Sequence, residues 1–327
     1  MAKVRELLVG VDMGGTSLRA LVVDERNQIL SLEKTPTQVS RKPSALIKEI
    51  GAVVEKAITT AGLRRQQVRA VSIGAPGAVD PERGVVHHAP NLGWKDVPLA
   101  RELKALVKIP VVVENDVHVG LIGEHALGAG KGTSELLGIF IGTGIGGGII
   151  SEDRLFGGSS GGAGEIGHMV LLVDGPLCSC GHRGCAEALS SRSAMERDVR
   201  AAVKSGAESA ALQIMEKRGK TRMTSSVIHA ALKKKDPVMI EVIQRAEYYL
   251  GILAANVVNL LDPERVVIGG GIVERLGEDF VAPIRRTAYE YFFRREDADR
   301  VKIVGGTLGD NAGALGAVVF ARQKLGR

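Results

Sequence analysis

The sequence predicts an α/β protein built as two related halves that face a shared cleft. Three observations carry that prediction. Short apolar runs rich in Val, Ile and Leu alternate with amphipathic helical stretches, the pattern of strands covered by helices. A plan of strand, Gly/Thr turn and returning strand occurs at 7–23 and again at 135–151. The length of 327 residues suits about two domains.

Leu7–Asp12 reads as a buried strand, Met13–Ser17 as a tight turn and Leu18–Val23 as the returning strand. Backbone N–H groups exposed at such a turn form a concavity that attracts phosphate. Asp12 ends the strand, where a carboxylate could hold Mg²⁺ through water. A plain hairpin whose glycines only supply positive φ is the bland alternative. Pro43–Gly62 is an amphipathic helix with Pro43 at its first position and Gly62 as its stop. Arg69–Ile73 is a further strand, running into the loop Gly74–Asp80, whose Gly74 and Gly77 allow close approach of backbone to another group. Ala89–Trp94 carries Asn91 and the single tryptophan, and Pro98–Leu106 is a short helix.

Val111–Asp116 follows as a short strand of β-branched residues that must open at an Asn-Asp pair, with a helix from about Val117 to Leu127. Ligands collect at the carboxyl ends of strands in α/β sheets, so Asp116 is placed to take the proton of an attacking hydroxyl. Asn115 or Asp116 serves equally well as the cap of the helix.

Glu135–Ile141 is an apolar strand that enters Gly142–Gly148, repeating the first hairpin. Residues 142–147 also match G-x-G-x-x-G. That dinucleotide motif requires a helix directly after the glycines, and Gly148–Ser151 is poor helix material, so a nicotinamide-dependent dehydrogenase is excluded. A Gly/Ser loop then ends in Glu165–His168, and Cys178, Cys180 and Cys185 follow within eight residues. Three clustered thiols supply three ligands to a tetrahedral Zn²⁺, which takes a fourth from nitrogen or sulfur. His182 lies inside the tight loop; His168 can approach from outside and is the expected fourth ligand. Such a structural site supplies roughly 10–16 kcal/mol of folding free energy, enough to order a loop this rich in glycine. Three unmetallated buried cysteines are the alternative.

Beyond residue 190 the chain reads as mostly helical. Asp236 caps a long helix to about Leu261, and Arg265–Ile268 is a strand ending at Gly269, Gly270 and Gly271. That triplet either lies against a flat ligand or simply turns strand into helix. Glu278–Phe293 is helical, Val301–Val304 a strand, and Asp310 caps a closing helix from Asn311 to Lys324 whose small residues permit close packing.

Composition narrows the class. Hydrophobic residues make up 45% and charged residues 24% of an ordinary globular chain, while glycine, at 42 residues, is concentrated in a few loops. The net charge of +6 is scattered, the longest basic run is Lys233–Lys235, and aromatics are 3%. A nucleic-acid binder would show a basic stripe; none is present. No stretch approaches the ~20 apolar residues of a membrane span, and the charged N-terminus is no signal peptide. An odd, clustered set of cysteines points to metal or redox chemistry in the cytoplasm.

Taken together, Asp12–Thr16, Glu114–Asp116, Gly142–Gly147, Glu165–His168, the Cys178–Glu187 motif and Gly269–Gly271 resemble the ROK family of repressors, open reading frames and sugar kinases, within the actin-like ATPase superfamily. The resemblance spans about residues 7–322, and Ala89–Trp94 is most similar to the family's bacterial glucokinases. It implies an actin-like, ribonuclease-H-like fold of two α/β domains with an interdomain cleft and a small zinc-binding loop. The smaller domain would comprise 1–117 with 306–327, and the larger 118–305 would carry the zinc motif. The implied activity is ATP-dependent, Mg²⁺-assisted phosphorylation of glucose at its 6-hydroxyl, or of N-acetylmannosamine or N-acetylglucosamine in the nearest variants. By the same resemblance Asp116 is the general base. Gly77, Asn91, Asn115, Asp116, Glu165, His168 and Glu187 bind the sugar. Asp12, Gly14, Gly15, Thr16, Gly142, Thr143 and Gly144 hold the phosphates, and Gly269, Gly270 and Gly271 flank the adenosine. His168, Cys178, Cys180 and Cys185 hold Zn²⁺, His168 offering its other ring nitrogen to the sugar. A homodimer or higher homo-oligomer is implied as well. The family's sugar-sensing repressors carry a DNA-binding segment ahead of the first glycine turn, for which the eleven residues before Asp12 leave no room.

Overall fold

The computed structural model describes residues 6–14, 17–37 and 42–326. They form two compact units, one of the described residues up to Gly132 with Leu155–Ala163 and those from Asn311 on, the other of Thr133–Arg154 and Gly164–Asp310.

In the first unit, β1 (Leu7–Met13) pairs antiparallel with β2 (Ser17–Val23), which pairs antiparallel with β3 (Ile29–Pro36). Helix α1 (Pro43–Thr60) follows. Its buried stripe of Leu46, Ile50, Val53, Val54, Ala57 and Ile58 is the one its spacing predicts. Strand β4 (Val68–Ala75) lies parallel to β1. Three short strands, β5 (Ala78–Asp80), β6 (Val85–Ala89) and β7 (Trp94–Val97), make a small antiparallel sheet, and α2 (Leu99–Val107) leads into β8 (Val111–Asn115), parallel to β4. The main sheet runs β3-β2-β1-β4-β8. Its central strands are buried along almost their whole length, which is why they read as unbroken apolar runs rather than alternating ones. Helix α3 (Asp116–Leu127) starts directly at the end of β8.

The second unit opens with β9 (Leu136–Ile141) and β10 (Ile145–Ser151), an antiparallel hairpin, with β11 (Arg154–Leu155) at its edge. The helices α4 (Ala186–Ser190), α5 (Arg192–Lys204), α6 (Ala210–Lys217), α7 (Ser225–Lys233) and α8 (Pro237–Leu261) come next. Then follow β12 (Arg265–Gly269), α9 (Gly271–Leu276), α10 (Glu278–Glu290) and β13 (Lys302–Gly305), giving the order β11-β10-β9-β12-β13. In both sheets an antiparallel hairpin has a parallel strand beside its first member, so the repeated hairpin of the sequence is a repeated topology. A strand follows the glycines at 142–147, and the dinucleotide motif is therefore a coincidence of spacing. Asp236 caps α8 as expected, accepting from Met239 N at 3.1 Å.

Several boundaries differ from expectation: Leu155–Ala163 falls in the first unit, 306–310 in the second, and α10 stops at Glu290. The closing helix α11 (Ala312–Leu325) starts one residue later than expected, after a single 3₁₀ turn, with Asn311 at its boundary making no side-chain capping bond. More consequential is α3, expected in the second domain, which belongs to the first unit. Its backbone meets that of α11 at glycines. A methyl on Gly123 would lie 2.6 Å from the Ala312 carbonyl, and one on Gly316 would lie 1.6 Å from the Val119 carbonyl. The small residues of the closing helix bind α3 to this unit so tightly that the sequence boundary at 117 falls inside a packed pair. Among the described residues no helix is long and apolar enough to cross a membrane.

Candidate active site

The end of β8 divides two duties that the sequence left open. Asn115 is the cap of α3, its side-chain oxygen accepting from Val117 N at 2.9 Å and His118 N at 3.1 Å. Its amide nitrogen donates to the Gly77 carbonyl at 3.0 Å. Both lone pairs and one of two amide protons are thus committed, and at most one N–H is left for a ligand. Asp116 is the first helical residue, held at the helix N-terminus with one oxygen accepting from Val117 N at 2.9 Å. Asn115 is the cap residue, and Asp116 shares the Val117 N–H with it. Behind them Glu114 accepts from Asn115 N at 2.7 Å and meets His118 Nδ1 at 3.1 Å. Both side chains are buried.

Asp12, at the end of β1, pairs in register with Arg19. Burial and the neighbouring Asp116 carboxylate push Asp12 up to about 7, against the opposing pull of Arg19. The start of α11 closes on the same carboxyl, a methyl on Gly313 falling 2.7 Å from Asp12 Cγ. Gly14 N donates to Ser17 O at 3.1 Å, closing the turn; the expected phosphate ligands Gly15 and Thr16 lie outside the described residues. Gly77, at φ 93°, has the His88 carbonyl 2.1 Å from where a methyl would sit, so the loop demands glycine for its own packing. Asn91 is exposed on the 3₁₀ turn Pro90–Leu92.

The second unit joins the glycine turn, the Glu165–His168 loop and the cysteine loop. Gly147 and Gly167 let that loop lie directly on β10: methyls there would stand 2.4 Å from the Gly164 carbonyl and 2.1 Å from the Ile145 carbonyl. Glu165 is exposed and His168 half-buried. Glu187 links the other two, one carboxylate oxygen accepting from Ile145 N at 3.0 Å and the other from the Ser179 hydroxyl at 2.9 Å. Its oxygen occupies the space a side chain at Gly144 would fill, 2.2 Å from the ideal methyl. One residue absent from the sequence reading sits here: Arg192 donates through Nη2 to the Thr143 hydroxyl at 2.7 Å.

The ligand atoms of His168, Cys178, Cys180 and Cys185 all lie within 4.8 Å of one another. His168 Nδ1 is 3.6 Å from Cys178 Sγ, and Cys180 Sγ is 3.7 Å from Cys185 Sγ. A tetrahedron with Zn–S bonds of ~2.3 Å has edges of about 3.8 Å, so the four groups fit that ion. The His182 ring meets Cys180 Sγ at 3.6 Å and its carbonyl accepts from Cys178 N at 2.8 Å, but it stands outside the set of four. A backbone hydrogen bond from His182 is the main cause that draws Cys180 down to about 6, whereas burial pushes Cys185 up to about 12.

The triplet Gly269–Gly271 is accounted for by the chain itself at two positions. A methyl on Gly269 would strike the Phe140 ring at 2.6 Å, and Gly270, at φ 98°, approaches the Ile141 carbonyl to 2.3 Å while opening α9. The strand-to-helix turn alone explains these two.

Comparison with known proteins agrees with the motifs. The sequence model of the ROK family matches residues 8–324. The chain belongs to the ROK family. Within the family it is 32% identical to the glucokinase of Halalkalibacterium halodurans, over 97% of this chain and 95% of that one. It is 34% identical to the glucokinase of Streptomyces coelicolor, over 97% and 98%. A solved ROK family glucokinase from Streptomyces griseus, in complex with glucose and AMPPNP, matches with a TM-score of 0.85 at 36% identity, covering 97% of this chain and 99% of that one. The ROK motifs are thus borne out as a family signature, from the first hairpin to the closing helix.

Proposed function

We infer that the chain is an ATP-dependent hexose kinase of the ROK family and that glucose, phosphorylated at its 6-hydroxyl, is its substrate. The observation that carries this reading is the end-to-end likeness to glucokinases, one of them solved with glucose and AMPPNP.

In this reading Asp116 is the general base. It takes the proton of the sugar's terminal hydroxyl as that oxygen forms its bond to the γ-phosphorus, and the bond from phosphorus to the ADP oxygen breaks. Support comes from its place as the first residue of α3 at the carboxyl end of β8, where ligands of α/β sheets collect. Asn91, the Gly77 loop and the single remaining N–H of Asn115 are assigned to sugar hydroxyls, as are Glu165, His168 and Glu187 in the second unit. Neutral hydroxyls are best held by such directional acceptors and donors. Asp12, beside Asp116, is a carboxyl pair that favours a cation, and Asp12 is the residue that would hold Mg²⁺; the ion neutralises phosphate charge. Gly14 to Thr16 and Gly142 to Gly144 are assigned to phosphates, and Gly269 to Gly271 to the adenosine. Zn²⁺ would be held by His168, Cys178, Cys180 and Cys185 and would brace the loop; with Nδ1 facing the thiols, the Nε2 of His168 is the atom offered to the sugar.

The test is a coupled assay of ATP consumption with glucose, mannose, fructose, N-acetylglucosamine and N-acetylmannosamine. Glucose is expected to give the highest kcat/KM. A clear preference for either N-acetylhexosamine would replace glucose as substrate, and no turnover of any sugar would refute the kinase reading.

A further inference from the structure

Arg192 is the first residue of α5. Its own N–H donates to the Gly142 carbonyl at 3.1 Å while its guanidinium donates to the Thr143 hydroxyl at 2.7 Å. Burial and the nearby charge of Arg222 both push it below the usual guanidinium range. Arg222 reaches the next residue, donating to the Ser193 hydroxyl at 3.0 Å. Glu196, whose charge opposes that shift, has both oxygens in other hydrogen bonds, one accepting from Arg200 at 2.8 Å and the other from Met223 N at 2.8 Å. Among the described residues neither Arg192 nor Arg222 forms an ion pair with a carboxylate. Glu187 turns its charge to Ile145 N and Glu196 offsets the shift of Arg192 only in part, so the partly buried Arg192 guanidinium favours an anion arriving at the Thr143 side of the turn.

We propose that Arg192, assisted by Arg222, is a ligand for the phosphate chain of the phosphoryl donor at the Gly142–Gly144 turn. The proposal rests on the hexose-kinase reading above. Because the guanidinium donates to the Thr143 oxygen, the hydroxyl proton is directed elsewhere and can be given to a phosphate oxygen. Glu187 occupies Ile145 N on the other flank of the turn, leaving the Arg192 side as the one that accepts negative charge. A fork of N–H donors suits phosphate better than a point charge does. The same chemistry serves a nucleoside triphosphate and inorganic polyphosphate, and both are arms of the test.

Steady-state kinetics on the full chain, with ATP and separately with polyphosphate as donor, decide the matter. Arg192→Ala is expected to raise the donor KM about 10- to 100-fold, as loss of a hydrogen bond to a charged group does, with sugar KM within about threefold of wild type. Arg192→Lys should recover part of the loss, and Arg222→Ala should raise donor KM by about three- to tenfold. Calorimetric titration with AMPPNP and with tripolyphosphate should weaken by the same factor. A folded Arg192→Ala protein with donor KM within twofold of wild type overturns the proposal. So does an equal rise in sugar and donor KM, which would mark a structural prop of the turn. If Arg192→Ala does not fold, unchanged donor KM in both Arg192→Lys and Arg222→Ala overturns it. Wild-type protein that turns over no sugar with either donor removes the kinase reading and this inference together.

Discussion

The carboxylate of Glu187 accepts the backbone N–H of Ile145 at 3.0 Å, tying the cysteine loop to the glycine turn that opens β10. A side chain assigned to the sugar is therefore also the brace of a loop assigned to phosphate. Glu187→Gln keeps an acceptor oxygen but loses the charge-assisted bond. We expect it to raise KM for both sugar and ATP by about tenfold, whereas a variant altered in sugar KM alone would show that the brace is dispensable.

The thiol and imidazole spacings match a tetrahedral ion, and metal analysis is expected to find one zinc per chain. Cys180→Ser should lose that zinc, lower the Tm and raise the sugar KM, because a structural ion of this kind carries much of its loop's stability. Fully active protein with no zinc would contradict the assignment.

Glu247 lies buried on α8, and burial is the main cause that pushes it up to about 8 from an ordinary 4.5, Arg286 opposing. The folded state therefore binds this proton more tightly than the unfolded chain does. The associated stability is fully present below pH 4.5 and is lost as the pH rises through 8. Glu247→Gln should be more stable than wild type at pH 7 by about 2–3 kcal/mol, with the difference vanishing near pH 4. Urea unfolding at the two pH values checks this; equal stability at pH 7 would contradict it.

Gly313 is pressed against the Asp12 carboxyl, with 2.7 Å from an ideal methyl to Asp12 Cγ. Gly313→Ala is expected to cost about 1–3 kcal/mol of stability, as overpacking does, and to raise the KM for Mg–ATP. Thermal melts and kinetics on the same preparation separate the two effects, and a normal KM would release Asp12 from the nucleotide site.

Much of this was legible in the sequence, and the parts that were not have physical reasons. The central strands of both sheets announce themselves because they are buried on two faces and so read as continuous apolar runs, whereas the edge strand β3 is mostly exposed and gave no such signal. The cluster of His168 with Cys178, Cys180 and Cys185 was legible because three thiols within eight residues must share one loop. At Asn115 and Asp116 residue type alone could not choose a cap, since both side chains can accept the same helix N–H groups. The placement of α3 was hidden because it depends on Gly123 and Gly316 admitting the backbone of a helix nearly two hundred residues later. Arg192 gave no local sign, since its partner Thr143 is 49 residues away. The glycines at 269 and 270 signalled close approach correctly, but what approaches them is Phe140 and Ile141 of their own sheet.

The most direct test of the account is kcat of Asp116→Asn with glucose and ATP, on protein shown by its melt to be folded. Removal of a general base is expected to lower kcat by about 10²–10⁴-fold with glucose still bound. Turnover within a few-fold of wild type would contradict the assignment of Asp116 as the base.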